Sequence, residues 1–203
     1  MKKFSVTVSD DSKYVFFRNP KTASRSILFS LNEGTSISDG VFDFARKKNR
    51  HRTGYDRKYN LAWDCYFKFG FVRNPWERLV STYNNKIKSY NHTSPKFYKQ
   101  YKNYEFKDFC KVIKTFNVDE SEEHIRSQYK FFPDNIDFIG RFETVYSDFD
   151  FICEKLAISL ELPHRNKTWN ESNYTEYYDE ETRQIVAEKY AKDIEYFNYK
   201  FGG

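Results

Sequence analysis

Glycine, cysteine and long apolar runs are all scarce in this chain of 203 residues, which has 7 glycines, 3 cysteines and 5 prolines. It has no Gly-x-x-x-x-Gly-Lys sequence, which excludes the glycine-rich phosphate loop of ATP and GTP enzymes. An odd number of widely spaced cysteines favours buried thiols over a disulfide framework or a metal site. No apolar run approaches bilayer-spanning length, and residues 1–10 lack the apolar core of a signal peptide. The sequence therefore predicts a cytoplasmic protein without a membrane anchor.

Aliphatic residues are sparse in this chain, whereas aromatic residues are abundant. The 21 Phe and 17 Tyr residues must form a large part of the core. The chain has no Pro-, Gly- or Ser-rich linker, no internal repeat and no low-complexity tract, so a single domain over residues 1–203 is expected. Strand-like runs alternate with helical patterns, which predicts an α/β protein with a central parallel sheet flanked by helices.

The segment Arg18–Ile27 carries polar side chains between a short strand-like run, Val15–Phe17, and a helical pattern. One lysine and three hydroxyls fall within six residues: Lys21, Thr22, Ser24 and Ser26. The backbone N–H groups of the first helical turn add the positive end of the helix dipole. The turn therefore predicts a cradle for a phosphate-like dianion. The alternative is an ordinary helix N-cap, which accounts for one hydroxyl but not for the whole set.

A second strand-to-helix junction falls within Phe71–Ser81. Asn74 and Pro75 predict a helix that starts near Pro75, because asparagine is a good capping residue and proline suits the first helical position. The apolar positions that follow repeat at helical spacing: Trp76, Leu79, Val80, Tyr83 and Ile87. Ser81 lies off this stripe, and Arg73 lies at the end of the strand. The two could share one phosphate. The alternative is a surface arginine paired with Glu77.

Together the two segments resemble the paired signatures of sulfotransferases that use 3′-phosphoadenosine 5′-phosphosulfate (PAPS), in particular the carbohydrate branch of that family. The likeness extends from Val15 to Phe201, and the second motif runs unbroken through Phe-Val-Arg-Asn-Pro-Trp-Glu-Arg-Leu-Val-Ser. It implies the α/β sulfotransferase fold, which is similar to that of P-loop nucleotide kinases. It also implies that Arg73 and Ser81 bind the 3′-phosphate. The residues it implies for the 5′-phosphosulfate are Lys21, Thr22, Ala23, Ser24, Arg25 and Ser26.

A basic stretch, residues 46–58, lies between the two segments and is typical of a solvated loop or a nucleic-acid patch. His51 lies in it, where related sulfotransferases carry a His-x-Thr-Ala or similar element, although Gly54 departs slightly from that pattern. In uronyl-type members a histidine there acts as the base. The resemblance thus implies that His51 removes the acceptor proton, which suits an unperturbed pKa of about 6.5. The alternative is a solvated histidine.

Two later features agree with the same family. Residues 136–143 look like its Asp-Phe-Ile-Gly-Arg-Phe-Glu element, and residues 162–168 resemble a loop on the cofactor side. The resemblance implies that Asn166, Lys167 and Thr168 contact the nucleotide, although a loop rich in turn formers is an equally good interpretation. Arg25 stands where many relatives have another residue. It could bind the phosphosulfate or face an acidic acceptor.

The sequence thus predicts a sulfotransferase that moves a sulfuryl group from PAPS to a hydroxyl of a saccharide or glycoconjugate. Lys21 and the helix N-terminus would stabilise charge on the departing phosphate. No carboxylate cluster suited to magnesium is evident, so no metal is expected. The net charge of +5 favours anionic ligands without demanding nucleic acid. Two alternatives stay open: a nucleic-acid-binding protein that uses the basic stretch, and a module that binds nucleotide without catalysis.

Overall fold

The computed structural model describes residues 3–32, 51–58, 60–90, 95–163 and 173–203. The chain forms two compact units. The first comprises Met1–Val72 with Phe131–Lys167, and the second comprises Arg73–Lys130 with Thr168–Gly203. The strands all belong to the first unit: β1 (Lys3–Ser9), β2 (Tyr14–Phe17), β3 (His51–Lys58), β4 (Phe67–Val72) and β5 (Phe138–Arg141).

The helices divide between the units. Their bounds are α1 (Ser24–Leu31), α2 (Pro75–Tyr83), α3 (Phe106–Thr115), α4 (Val145–Leu156), α5 (Glu180–Lys189) and α6 (Ala191–Tyr196). Helices α1 and α4 belong to the first unit, and the other four belong to the second. Within the described ranges, no helix combines the length and the apolar character needed to cross a membrane.

The first unit is built on a five-stranded sheet with the order β3-β1-β2-β4-β5. Strands β2, β4 and β5 are parallel, whereas β1 pairs antiparallel with both β2 and β3. The predicted α/β class, with a sheet flanked by helices, is confirmed. The predicted parallel pairing holds for the three strands at one side, and the two antiparallel strands extend the sheet at the other.

Strand β3 is the element that the sequence pattern did not indicate. It occupies His51–Lys58, which includes two arginines, a lysine and an aspartate and lacks apolar alternation. It lies at an edge of the sheet. Edge strands commonly carry charged residues, because one side of their backbone is unpaired and charge discourages pairing with another chain. Part of the basic stretch is therefore a strand and not a loop.

Aromatic side chains form the core between the sheet and its helices. Phe16 and Phe69 stack with their ring centroids 5.2 Å apart. Helices α1 and α4 contribute Ile27 and Phe149 to the same core, and both side chains have no exposed surface. Cys153 lies in this core, and Cys153 and Cys110 are buried free thiols as predicted, whereas the free thiol of Cys65 is exposed.

Gly70, in the middle of β4, lies where the backbone is crowded on both sides. A Cβ atom at this position would lie 2.3 Å from Cε1 of Phe132 and 2.9 Å from the main-chain oxygen of Phe17. Real Cβ atoms do not approach other atoms this closely. The absent side chain lets the Phe132 ring lie directly against β4.

Helices α2, α3 and α5 pack together in the second unit. Their core includes Trp76, Leu79, Phe109, Ile113 and Val186. Helix α2 begins at Pro75, as predicted, and continues as a π-helical segment over Asn84–Lys88. The apolar positions from Ile185 to Phe197 follow helical spacing, yet the chain breaks at Tyr190 into α5 and α6. The Tyr190 hydroxyl donates to the main-chain oxygen of Ile125 at 2.7 Å, which ties the break to the core.

Candidate active site

The first predicted anion site lies where β2 ends and α1 begins. Strand β2 ends at Phe17 and α1 begins at Ser24, so residues 18–23 form the turn between them. The side-chain Nδ2 of Asn19 donates to the main-chain oxygen of Phe71, in β4, at 3.0 Å. The turn is thereby fixed at the carboxyl ends of two parallel strands, where α/β proteins bind their ligands.

The hydroxyls of Thr22 and Ser24 hold this turn in shape. Both donate to the main-chain carbonyl of Asn19, Thr22 Oγ1 at 2.8 Å and Ser24 Oγ at a short distance. Their protons are committed to the turn, so an anion bound to this conformation would not receive hydrogen bonds from them. Direct donation by Thr22 and Ser24 stays a prediction, and the structure gives both residues a role in the shape of the cradle.

The backbone of the turn adopts an uncommon conformation at Lys21 and Ala23, with φ angles of 72° and 60°. Non-glycine residues rarely occupy this left-handed region, and each instance costs on the order of 1 kcal/mol or more. Strain of this kind collects at ligand sites. Ala23 is the N-cap of α1, and no side chain caps the helix. The alternative of an ordinary N-cap therefore does not account for the hydroxyls of this segment.

Ser26 lies in the first turn of α1. Only 6% of its surface is exposed, and its side chain makes no hydrogen bond to another described residue. Arg25 beside it is exposed, and Lys21 is half-buried. The first segment therefore combines a positively charged side chain, the uncapped start of a helix and one hydroxyl that makes no hydrogen bond within the turn.

Asn74 begins α2 in the manner that the sequence predicts. Its Oδ1 accepts from the backbone N–H of Trp76 at 3.2 Å, and Pro75 occupies the first helical position. Its Nδ2 donates to the main-chain oxygens of Lys200 at 2.8 Å and Gly203 at 3.2 Å. The start of α2 is therefore anchored to the segment after α6, as well as capped locally.

Arg73 lies directly before this cap and is buried, with 9% of its surface exposed. Its guanidinium donates to Oε1 of Glu77 at 2.7 Å, one helical turn away. The pairing that the alternative interpretation expected is therefore present, but it is not a surface pair. A largely buried arginine whose head group is already oriented is well suited to bind a phosphate.

Ser81 is also buried, with 7% of its surface exposed, although it lies off the apolar stripe of α2. The reason is that α2 is enclosed on nearly all sides. On a further face Arg78 donates to the main-chain oxygens of Glu123 at 3.1 Å and Arg126 at 2.8 Å. The Ser81 side chain makes no hydrogen bond to any other residue that the structure describes.

Gln128 fixes the main chain of Arg73 from the side. The backbone N–H of Arg73 donates to Oε1 of Gln128 at 3.0 Å, and Nε2 of Gln128 donates to the carbonyl of Arg73 at 2.7 Å. Gln128 has no exposed surface. The sequence carried no signal for this pairing, because the two residues are 55 positions apart and neither local pattern refers to the other.

Asp193, in α6, holds the backbone beside Gln128. Its carboxylate accepts from the N–H of Gln128 at 2.7 Å and from that of Tyr129 at 3.0 Å. Asp193 has no exposed surface, and this burial raises its pKa to about 6. The two backbone hydrogen bonds and the positive charge of Arg78 favour the ionised carboxylate, but they offset only part of this rise in the pKa of Asp193.

The raised pKa of Asp193 predicts a pH-dependent contribution to stability. Because the folded pKa of about 6 exceeds the unfolded value of 3.8, this contribution is fully present below the unfolded pKa and is lost as the pH rises through 6. Two pKa units correspond to about 3 kcal/mol. Measured by urea denaturation, the free energy of unfolding of the wild type relative to Asp193→Asn should be larger by about 2 kcal/mol at pH 4 than at pH 8, because the unfolded carboxyl is already partly ionised at pH 4.

Asp179→Asn provides a control of opposite sign. A hydrogen bond from Lys107 lowers the pKa of the exposed Asp179, so its contribution is present above the unfolded pKa and is lost as the pH falls. A difference between the wild type and Asp193→Asn that does not change between pH 4 and pH 8 would contradict the raised pKa.

Tyr98, Glu122 and His124 form a second polar cluster in the same unit. Nδ1 of His124 lies 2.7 Å from Oε1 of Glu122, and the Tyr98 hydroxyl donates to Oε2 at 2.5 Å. Burial lowers the pKa of His124, although the interaction with Glu122 acts against it. Glu122, Glu123 and His124 each offer one potential metal-ligand atom, and these atoms lie within 4.8 Å of one another. Both Glu122 oxygens already take part in hydrogen bonds, one with His124 and one with Tyr98.

Several predicted site residues are not tested by this geometry. Asn166, Lys167 and Thr168 lie outside the described residues, as do residues 46–50 of the basic stretch. His51 is the first residue of β3, and its backbone pairs with that of Ser9. Its role as a base therefore stays a prediction.

The structure is an α/β protein in which two strand-to-helix junctions carry cationic and hydroxyl side chains. A model of the Sulfotransferase family matches residues 5–200. The chain therefore belongs to the sulfotransferase family, which confirms the family predicted from the two motifs.

Individual relatives are distant. The chain is 25% identical to carbohydrate sulfotransferase 9 of Homo sapiens, over 93% of this chain and 48% of that protein. It is 29% identical to an uncharacterized protein of Archaeoglobus fulgidus, over 55% of this chain and 84% of that protein. The chain thus spans about half the length of the human relative. No solved structure matches. The human relative supports the carbohydrate branch, and the family supports an enzyme.

Proposed function

We propose that this protein is a sulfotransferase that uses PAPS as its donor. The observation that carries the proposal is a pair of strand-to-helix junctions, each with a serine of low exposure in its helix, Ser26 at 6% and Ser81 at 7%. Each serine lies in a helix that follows a strand, and each is preceded by a cation, Lys21 or Arg73. Bound anions would supply acceptor oxygens to both hydroxyls.

The turn before α1 is assigned to the 5′-phosphosulfate. Lys21, the start of α1 and Ser26 would bind the anion, while Thr22 and Ser24 maintain the shape of the turn through the Asn19 carbonyl. Left-handed backbone at Lys21 and Ala23 supports this assignment, because it creates a concave turn that anions favour. Arg25 is exposed, which leaves it able to meet either the donor or an acidic acceptor.

Arg73 and Ser81 are assigned to the 3′-phosphate. A guanidinium that is largely buried and already oriented by Glu77 loses little freedom when it binds a phosphate. The Ser81 hydroxyl would donate to a phosphate oxygen. Asn166, Lys167 and Thr168 are proposed to contact the nucleotide.

The reaction is a direct transfer of the sulfuryl group. The acceptor oxygen attacks sulfur in line as the bond between sulfur and the 5′-phosphate oxygen breaks. His51 takes the acceptor proton, and Lys21 with the helix N-terminus stabilises the charge that develops on the departing phosphate. The products are a sulfate ester and 3′,5′-adenosine bisphosphate. We propose a saccharide hydroxyl as the acceptor, a class that the name of the human relative supports.

Transfer of label from ³⁵S-PAPS to a panel of saccharides and small hydroxyl compounds tests this function. We expect a sulfate ester with at least one saccharide, at the same rate with and without EDTA, because a sulfuryl group carries less charge than a phosphoryl group and needs no bridging metal. Activity that is lost in EDTA and restored by magnesium would indicate a nucleoside triphosphate enzyme instead. Nucleotide binding without transfer to any acceptor would favour a non-catalytic module.

A further inference from the structure

The main chain of Arg73 lies between two regular elements and belongs to neither. Strand β4 ends at Val72 and α2 begins at Pro75, so the sheet ladder and the helix leave the N–H and carbonyl groups of Arg73 to other partners. The Gln128 amide provides both, as an acceptor at 3.0 Å and a donor at 2.7 Å. Of the neutral side chains only an amide, in Gln or Asn, can do this with one planar group, because it carries a carbonyl oxygen and an NH₂ side by side.

Gln128 is itself held in place. Its backbone N–H and that of Tyr129 both donate to the Asp193 carboxylate. On either side, Ser127 Oγ donates to Asp119 Oδ1 at 2.6 Å, and the Tyr129 hydroxyl donates to Asp119 Oδ2. The loop that carries Gln128 is therefore fixed by two carboxylates, and Gln128 and Asp193 are both shielded from water.

The Arg73 side chain is constrained at both of its ends. Gln128 holds the main chain from which it starts, and Glu77 holds the guanidinium at 2.7 Å. An arginine that must present two parallel N–H groups to a phosphate depends on the position of its backbone, because a displacement of about 1 Å at the root reaches the head group.

We propose that Gln128 is a positioning residue, which fixes the Arg73 main chain so that the guanidinium meets the 3′-phosphate of the nucleotide. The inference rests on the proposed function, which assigns Arg73 to that phosphate. Gln128 does not touch the nucleotide. It acts through Arg73, and so it should affect ligands with a 3′-phosphate and spare ligands without one.

Gln128→Leu tests this role, because leucine keeps most of the volume and removes both hydrogen bonds. The measurement is calorimetric affinity for 3′,5′-adenosine bisphosphate and for adenosine 5′-monophosphate. We expect the variant to lose about 10- to 100-fold of its affinity for the bisphosphate and to keep its affinity for the monophosphate. In an Arg73→Ala background, Gln128→Leu should not change the ratio of the two affinities further.

Thr82→Val is the matched control. Thr82 is equally buried in the same unit, and its hydroxyl donates to the main-chain oxygen of His124 at 3.1 Å, away from Arg73. The Thr82→Val variant should have a lower melting temperature than the wild type but the same ratio of bisphosphate affinity to monophosphate affinity. If Gln128→Leu does not fold, Gln128→Met replaces it. Methionine keeps the unbranched shape of glutamine and removes both hydrogen bonds without burying a charge, so a similar loss in the ratio is expected.

The outcomes separate the inference from the proposed function. A wild-type protein that binds both nucleotides equally would remove the assignment of Arg73 to the 3′-phosphate, and this inference with it. A wild type that prefers the bisphosphate, together with Gln128 variants that keep the full preference, would overturn the positioning role and leave the proposed function standing.

Discussion

Saturating 3′,5′-adenosine bisphosphate should raise the melting temperature of the wild-type protein well above the value reached with adenosine 5′-monophosphate, and Arg73→Ala should abolish most of that difference. A ligand that binds the native state stabilises it by RT ln(1 + [L]/Kd). Removal of a largely buried guanidinium costs roughly 10²-fold or more in affinity for a phosphate. Adenosine 5′-monophosphate lacks the 3′-phosphate, so the melting-temperature shift that it produces should be unchanged in Arg73→Ala. Thermal unfolding with each nucleotide provides the measurement.

Arg183→Ala is a suitable control for this experiment. Arg183 lies in the same unit and forms an ion pair with Glu180 at 2.8 Å, but its side chain is 45% exposed and lies in α5. The Arg183→Ala variant should keep the full difference between the melting-temperature shifts produced by the two nucleotides. If the bisphosphate and the monophosphate raise the melting temperature of the wild type equally, a 3′-phosphate site at Arg73 and Ser81 is contradicted. A larger shift with an oligonucleotide than with the bisphosphate would favour the nucleic-acid-binding alternative.

His51→Ala should lower kcat by roughly 10²- to 10⁴-fold while leaving bisphosphate binding nearly intact. The reason is that a general base acts on the acceptor and contributes little to donor affinity. The wild-type rate should also fall on the acid side, because a protonated imidazole cannot accept the proton, and that limb should vanish in the variant. Steady-state kinetics across pH, with an acceptor found in the label-transfer screen, measure both effects.

His124→Gln separates the two histidines. Glu122 orients the His124 ring through Nδ1, and burial lowers the pKa of His124, so it has features that a base requires. If His51 is the base, His124→Gln should keep the acid limb of the profile. A His51→Ala enzyme that turns over at the wild-type rate would remove His51 from the mechanism, and loss of the limb in His124→Gln would then assign the base to His124.

The start of α2 could be predicted from the sequence because its determinants are local. Asn74 caps the helix through a residue two positions away, and the fixed φ angle of Pro75 suits the first turn. The turn after β2 was predictable for a similar reason, since an apolar strand and an apolar helical face delimit it. The hydrogen bonds that Thr22 and Ser24 donate to the Asn19 carbonyl were not predictable, because the sequence does not show which acceptor a hydroxyl in a turn faces.

Features that depend on partners distant in the chain could not be predicted from the sequence. Strand β3 lacks apolar alternation because it lies at an edge, where charge is tolerated on a strand. The break at Tyr190 contains neither proline nor glycine, and it is stabilised by a hydrogen bond to Ile125. Gln128 offered no signal either, since an amide that binds a main chain 55 positions away leaves no local pattern.

Gly70 limits how sequences related to this one can vary. The position has two crowded neighbours, the Phe132 ring and the Phe17 carbonyl. A smaller residue at position 132 would relieve only one of them, because the carbonyl belongs to the backbone of the paired strand β2. A paired substitution at positions 70 and 132 would therefore not remove both close contacts. A homologous chain with any side chain at position 70 must also shift the Phe17 carbonyl away from β4, three residues before the arginine assigned to the 3′-phosphate.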